Sequence, residues 1–379
     1  MKKLELPFYV VRKRKNRNIA TKKLRAARRR GSKLVITRNS LKASKVECNV
    51  KVVAPYNFHL GRKYHIYCVK FINDLHKAVK HAANSNKTVC ICFRNTKHIS
   101  APAGIYLLSS TEEIVRKYPN VRFQVRIPPA IPDKHTRSKE AVVHAALMRV
   151  GYYDLLSIKK SKAKPFPHVN TWHICSATIV KGNLVGQALS KLDNLGIDQK
   201  ALYRSGIEAM NNAIEHAYSK DVPKLHDFHT KKWWMFTGVL DNKLIFVIAD
   251  KGHGIPQTLP YTQPEDVISN IRSKMRGAYN KINNTVLNGD AEAIHIATLV
   301  KKTRTTLGHR GKGGPDLRKF VESHPDAKLL IYSNFGAYSF ELTKKGKKDL
   351  PIGYNNKSSI EGTIIGWEVP LPESNLSKA

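Results

Sequence analysis

Glu208-Ala209-Met210-Asn211-Asn212-Ala213-Ile214-Glu215-His216-Ala217-Tyr218 is the stretch on which the fold turns. Residues 201–218 hold no proline, and no glycine after Gly206, so they predict a helix. Ile207, Met210, Ile214 and Ala217 recur at helical spacing and predict one apolar stripe. Glu208, Asn212 and Glu215 follow at i, i+4 and i+7 and predict a polar face opposite it. A helix would thus present a carboxylate and a carboxamide one turn apart. The first can take a proton from water or a hydroxyl. The second offers a neutral hard oxygen that suits Mg²⁺.

Three further stretches follow in order. Leu244-Ile245-Phe246-Val247-Ile248-Ala249 is an apolar run that predicts a buried strand. It ends at Asp250-Lys251-Gly252-His253-Gly254-Ile255, an acid at a strand end before a Gly-x-Gly turn. Such a turn lets backbone come close to a ligand, and the carboxylate can accept from an exocyclic amine. Gly308-His309-Arg310-Gly311-Lys312-Gly313-Gly314-Pro315 then precedes a helical pattern over 316–321. A glycine-rich loop opening a helix offers free N–H groups and a helix dipole to phosphate, with Arg310 and Lys312 adding charge. Its spacing excludes a P-loop. Last, Glu361-Gly362-Thr363 leads an alternating strand over 364–369.

In this order the four stretches resemble the GHKL ATPase superfamily, which includes DNA gyrase, histidine kinases and the anti-sigma-factor serine kinases. Residues 208–218 look like its N box, in the anti-sigma style. Residues 250–255 look like its G1 box and 308–317 like its G2 box, while Gly362-Thr363 is similar to its terminal Gly-Thr element. The resemblance covers 165–372. It implies a Bergerat-type α/β two-layer sandwich, a mixed sheet with helices on one face, and it implies ATP with Mg²⁺. Carried over, Glu208 would be the general base and Asn212 the Mg²⁺ ligand. Asp250 would accept from the adenine amino group, supported by Thr363. Gly252 and Gly254 would let the nucleotide approach, and Gly308, Gly311, Lys312, Gly313 and Gly314 would wrap the phosphates. Residues 257–307, with Lys301, Lys302 and Arg304, would form a lid. The second box departs from the family in reading Gly-Lys-Gly-Gly-Pro. No helical hairpin with a phosphoacceptor histidine precedes the N box, which argues against a sensor histidine kinase. His216 reads as a packed helix residue, and His226 and His229 lack a partner at metal-ligand spacing. Trp233 and Trp234 open a strand expected over 232–240 and read as packing residues.

Upstream, residues 47–160 alternate strand and helix. Strands are expected at 50–53, 88–93 and 121–125, and helices at 64–83, 103–117 and 138–151, so an α/β domain is expected. Thr88–Phe93, Ile99–Gly104 and Val150–Leu156 resemble a STAS-like domain, the module of anti-sigma-factor antagonists. Ala103 stands where those proteins carry a phosphorylatable hydroxyl, and Ser100 is displaced from it, so a phospho-switch is not expected there. Residues 157–167 are charged, with two prolines and no periodicity, and read as a linker.

The 379-residue chain carries 66 Lys+Arg against 28 Asp+Glu, a formal net charge of +38. Hydrophobic residues make up 41%, which excludes a wholly disordered basic protein. No apolar run approaches a membrane span, and Glu5 and Pro7 interrupt any secretory signal; the Arg-rich start fits a transit peptide only in part. A cytoplasmic protein with no membrane contact is expected. Five cysteines, without a Cys-x-x-Cys, fit neither a zinc knuckle nor a disulfide framework. Residues 1–33 alone hold 14 Lys/Arg and one acid. Arg12, Lys13, Arg14, Lys15, Arg17, Arg28, Arg29 and Arg30 form its clusters, in an arm over 1–46 that would order on nucleic acid, DNA or RNA. Two functions follow: an ATPase whose lid closure is coupled to a nucleic-acid or protein partner, or a serine/threonine kinase of the anti-sigma type. The resemblance also brings a homodimer into the expectation.

Overall fold

The computed structural model describes residues 50–371, apart from 129–130, 133–138, 141, 160–170, 191–196, 225–226, 228–230, 241, 281–287, 301–312, 325 and 343–351. The basic arm, and with it Arg12 to Arg30, lies outside the described residues, as do Gly308, Gly311 and Lys312. In chain order the first elements are β1 (Val50–Val53), β2 (Asn57–Phe58), α1 (His65–Ser85), β3 (Thr88–Cys92), β4 (His98–Ile99), α2 (Ala101–Lys117) and β5 (Arg122–Arg126). Next come β6 (Ile131–Pro132), β7 (Lys139–Glu140), α3 (Val142–Arg149), α4 (Tyr152–Leu155), β8 (His173–Ala177), α5 (Gly182–Ser190) and α6 (Gln199–Glu215). The last are β9 (Trp233–Leu240), β10 (Lys243–Asp250), α7 (Ile255–Thr262), α8 (Glu265–Asn280), α9 (Gly289–Leu299), α10 (Gly313–Ser323), β11 (Lys328–Ser333), β12 (Gly336–Glu341), β13 (Ile352–Asn355) and β14 (Thr363–Pro370).

The chain is a mixed α/β protein with one parallel and one antiparallel main sheet. β1, β3 and β5 form a parallel sheet in the order β1-β3-β5, joined by the crossover helices α1 and α2. The larger sheet runs β13-β12-β11-β14-β10-β9-β8, and every pairing in it is antiparallel. This corrects the expected mixed sheet. The links are the reason: β9 reaches β10, and β11 reaches β12, through two residues each, and so short a link joins only antiparallel neighbours. Asn242 and Asn334, at φ 58° and 49°, supply the left-handed backbone of those turns.

Strand β10 explains the layering. Successive side chains of a strand leave on opposite faces. Leu244, Phe246 and Ile248 enter one core, and Ile245, Val247 and Ala249 enter another. Trp233 and Met235 of β9 join the first core, and Trp234 and Phe236 the second. An uninterrupted apolar run is what a strand buried on both faces requires. The first core is closed by α5, α6 and α10, with Val185, Leu202, Met210, Leu317 and Phe320. The second is closed by α2, which touches β9, β10 and β14. Within 165–372, α5, α6 and α10 thus lie on one face of the large sheet, and α2 of the preceding stretch covers the other.

Helix α2 is buried at every position from Ala101 to Ile114, as a helix between two sheets must be. Its acids need partners there. Glu112 accepts from Lys232 Nζ at 2.7 Å, Arg116 Nη2 at 2.8 Å and Trp234 Nε1 at 2.7 Å. Burial pulls its carboxyl up, but these hydrogen bonds outweigh that and hold it below the ordinary range. Residues 48–379 accordingly form one compact unit. The stretches read as two domains, 47–160 and 165–372, share the core that runs from Val52 to Ile364. Among the described residues Cys68, Cys90, Cys92 and Cys175 form no disulfide, and no helix is long and apolar enough to cross a membrane.

Candidate functional site

Helix α6 starts at Asp198, whose carboxylate accepts from Ala201 N at 3.0 Å. Its buried face is Leu202, Ser205, Gly206, Ala209, Met210 and Ala213. The expected stripe was rotated from this, for Ile207 and Ile214 are only half-buried. Small residues made the difference, because they let α6 lie close on the sheet. The Ser205 hydroxyl donates to Asp316 O at 2.8 Å and ties α6 to α10. The helix closes at Glu215, earlier than the 218 expected, with His216 as its C-cap.

This seating turns Glu208 and Asn212 into a cavity of about 270 Å³. Asp250, Gly254, Gly314 and Thr363 line the same cavity. Six of the residues singled out in the sequence therefore converge. Asp250 ends β10 directly opposite Thr363, which begins β14. Its Oδ1 accepts from Gly252 N at 2.9 Å, and the Thr363 N–H also supports the carboxylate. Burial pushes the Asp250 carboxyl up to about 7, against the pull of those N–H groups and of the Lys251 charge. Burial also raises Glu208 above its ordinary range, helped by the negative charges of Asp316 and Glu215. His216 lines the cavity, and burial lowers its pKa.

Two glycines act differently from each other. Gly254 lines the cavity at φ +82° and caps α7, a conformation that costs other residues strain. Gly252 does not line it. A Cβ there would sit 2.0 Å from Ala217 O, and His253 N donates to that same oxygen at 2.7 Å. Gly252 thus packs the turn against Ala217, just past the end of α6. Gly313 begins α10, so the helix N-terminus lies beside the cavity through Gly314.

The stretch 257–307, expected as a long lid loop, is largely helical where it is described. Helices α7, α8 and α9 meet in a small core of Leu259, Ile268, Met275, Ile296 and Val300. Thr258, Gln263 and Thr298 turn towards the cavity and roof it. Helix α9 is tied to the large sheet, for Asp290 Oδ2 accepts from Phe335 N at 2.9 Å and Ala291 N donates to Asn355 Oδ1 at 3.0 Å.

Sequence reasoning passed over Ser333 and Asn334. The Ser333 hydroxyl accepts from Ile255 N at 2.8 Å and meets Thr363 Oγ1 at 3.0 Å. Asn334 donates through Nδ2 to His253 O at 2.7 Å and accepts from Gly362 N at 3.3 Å. The pair clamps the loop after β10 to the start of β14. The available signal was Ser-Asn-Phe-Gly, a turn between two apolar runs. Tyr218 belongs with them: its hydroxyl donates to Lys232 O at 2.6 Å and accepts from Lys251 N at 3.0 Å. Trp233 and Trp234 are buried, as their packing role required.

The side chains that Glu208 and Asn212 present are hard oxygen donors. Among the described residues no three His, Cys, Asp or Glu side chains converge as a cage. A carboxamide oxygen with a nearby carboxylate fits Mg²⁺, which keeps water and shares its shell with substrate phosphates. No protein-family model matches the chain, and no curated protein matches it.

Proposed function

We propose that this chain is an ATP-binding protein of the GHKL type, a Mg²⁺-dependent ATPase whose lid closure is coupled to a nucleic-acid or protein partner. The observation that carries it is the one cavity lined by Glu208, Asn212, Asp250, Gly254, Gly314 and Thr363. On this reading the large sheet with α5, α6 and α10 is the Bergerat-type layer, and the parallel sheet with α1 and α2 is the STAS-like one. Asp250 accepts from the adenine amino group, with Thr363 beside it. The N-terminus of α10 receives phosphate, where free N–H groups and the helix dipole favour an anion. Asn212 holds Mg²⁺, which supplies charge neutralisation at the phosphates. Glu208 takes the proton of the attacking water, and its raised pKa makes it the stronger base. The basic arm, with Arg12 to Arg17 and Arg28 to Arg30, engages the nucleic-acid backbone.

A second reading is a serine/threonine kinase of the anti-sigma type. It is favoured by the three-stranded parallel layer packed on the large sheet. Ala103 is fully buried in α2 and carries no hydroxyl, so such a kinase would act on a separate protein.

Labelled ATP tests both, with and without DNA, RNA and total cell protein. Free phosphate is expected, and phosphoprotein without phosphate release would favour the kinase. Asn212→Ala is expected to abolish Mg²⁺-dependent nucleotide binding in calorimetry. Glu208→Gln is expected to keep binding and to lose about 10²–10⁴-fold in turnover. Equal nucleotide binding by wild type and Asn212→Ala would overturn the assignment.

A further inference from the structure

Residues 50–128, which hold the parallel sheet with α1 and α2, carry thirteen Lys/Arg and three acids. Glu112 and Glu113 are buried in α2. Asp74 is the one acid of the three at the surface, and it accepts from Lys70 Nζ at 3.0 Å. Other surface helices pair their charges. Arg272 of α8 meets Glu292 at 3.3 Å, Arg318 of α10 meets Glu322 at 3.7 Å, and Lys319 meets Asp316. Among the described residues no ion pair engages Lys63, Lys77 or Lys80.

Helix α1 arrays these cations. Its inner face, with Phe71, Ile72, Leu75 and Val79, is buried in the core that runs from Val52 to Ile364. Lys70 and Lys77 stand seven residues apart on the outer face, so they share one line down it, about 10.5 Å from each other along the axis. Lys63 stands in the turn before α1, seven residues ahead of Lys70, and Lys80 flanks Lys77; all four are exposed. Ile66 and Tyr67 lie among them, 44% and 57% exposed. Like charges one turn apart, such as Lys77 and Lys80, destabilise a helix, so this one-sided face works against folding unless an anion covers it. A small anion meets one such lysine at a time. A charged polymer meets them together, and duplex nucleic acid carries one negative charge for about every 1.7 Å of its axis. A tyrosine hydroxyl donates to phosphate as well. An anionic membrane fits less well, because an interfacial helix sinks its apolar face into lipid, and that face of α1 is already buried in the protein.

We propose that the outer face of α1 is a binding surface for the nucleic-acid backbone, on which Lys63, Lys77 and Lys80 meet phosphates and Tyr67 donates beside them. The contact does not read sequence, because a lysine is a point charge without the fixed fork that an arginine offers. The surface acts in addition to the basic arm. It rests on the nucleic-acid part of the proposed function and not on ATP.

The test is fluorescence anisotropy on the full chain, with a labelled DNA duplex and a labelled RNA duplex of arbitrary sequence, from about 50 to 200 mM salt. A chain with Lys63→Gln, Lys77→Gln and Lys80→Gln should show a slope of log affinity against log salt that is shallower by about 2.7 on DNA, at about 0.9 per phosphate contact. Its melting temperature should match or exceed that of wild type, since no ion pair is lost. A chain with Lys181→Gln, Lys200→Gln and Lys220→Gln removes as much charge from exposed positions around α5 and α6, and its slope should stay close to wild type. Tyr67→Phe should weaken binding several-fold and leave the slope unchanged. A shallower slope on one duplex alone supports the surface and names its ligand. Equal slopes in the two triple variants overturn the α1 surface and leave the arm as the nucleic-acid contact. A wild-type chain that binds neither duplex, whether or not it binds phosphatidylserine vesicles, overturns the surface and the nucleic-acid reading together.

Discussion

Asp250 is the residue whose chemistry the fold alters most. Its carboxyl is pushed up to about 7 by burial, where an ordinary aspartate titrates near 3.8. The folded chain therefore binds a proton that the unfolded chain releases. The stability this adds is complete below the ordinary range and is lost as pH rises through about 7. Thermal melts of the unliganded chain should fall more steeply between about pH 5 and 8 than those of Asp250→Asn. On the proposed nucleotide reading, an ionised Asp250 accepts from the adenine amino group more strongly than a protonated one, so nucleotide affinity should weaken as pH falls below about 7. In Asp250→Asn that slope should vanish, and calorimetry in buffers of different ionisation heat should register the lost proton release. The proximity of Glu208 and Asn212 was legible from their spacing alone. Asn334 was not, because its work is done by four hydrogen bonds to segments remote in sequence: two by its side chain, to His253 and Gly362, and two by its backbone, to Gly362 and Ile360.

Elements with a strong period were read within a few residues: α1, α2, α6, β3, β9, β10 and β14 all fall where their patterns put them. What failed was the reading of faces. The α6 stripe was anticipated from Ile207 and Ile214, whereas Ser205, Gly206 and Ala209 meet the sheet. Small residues carry a weak hydropathy signal, yet they allow the closest approach. The helices within 257–307 went unread as well: Pro256 sits in the first turn of α7 and Pro260 is carried inside it. The strands β8, β11, β12 and β13 went unread because non-local pairing, more than local pattern, defines them. At this scale Gly252 makes the sharpest test. A methyl group would enter the Ala217 carbonyl, and backbone cannot yield as a flexible side chain does. Gly252→Ala should lower stability by about 1–3 kcal/mol or more, measured by urea unfolding, and should weaken nucleotide binding because the turn carries Asp250.

Across the whole molecule the junction between layers is both apolar and charged. Glu112 joins α2 to β9 through Lys232 and Trp234. Glu112→Ala leaves Lys232, whose side chain is 12% exposed, without that partner. A loss of about 3–5 kcal/mol is expected in denaturant unfolding, with one transition for all probes, since 48–379 is a single unit. The basic arm belongs to the same scale. Six to ten phosphate contacts would cost roughly 10³–10⁵ in nucleic-acid affinity between 50 and 200 mM salt. Deleting residues 1–33 should flatten that dependence, and fluorescence anisotropy titrations would read it directly. Strand β10, with alternate residues in two cores, has one more consequence. A fragment starting at residue 165 would bare Trp234, Phe236, Ile245 and Val247 to water, an apolar patch that invites aggregation. The stretch from 165 to 371 is thus no portable cassette: recombination could move it intact only together with the layer that precedes it.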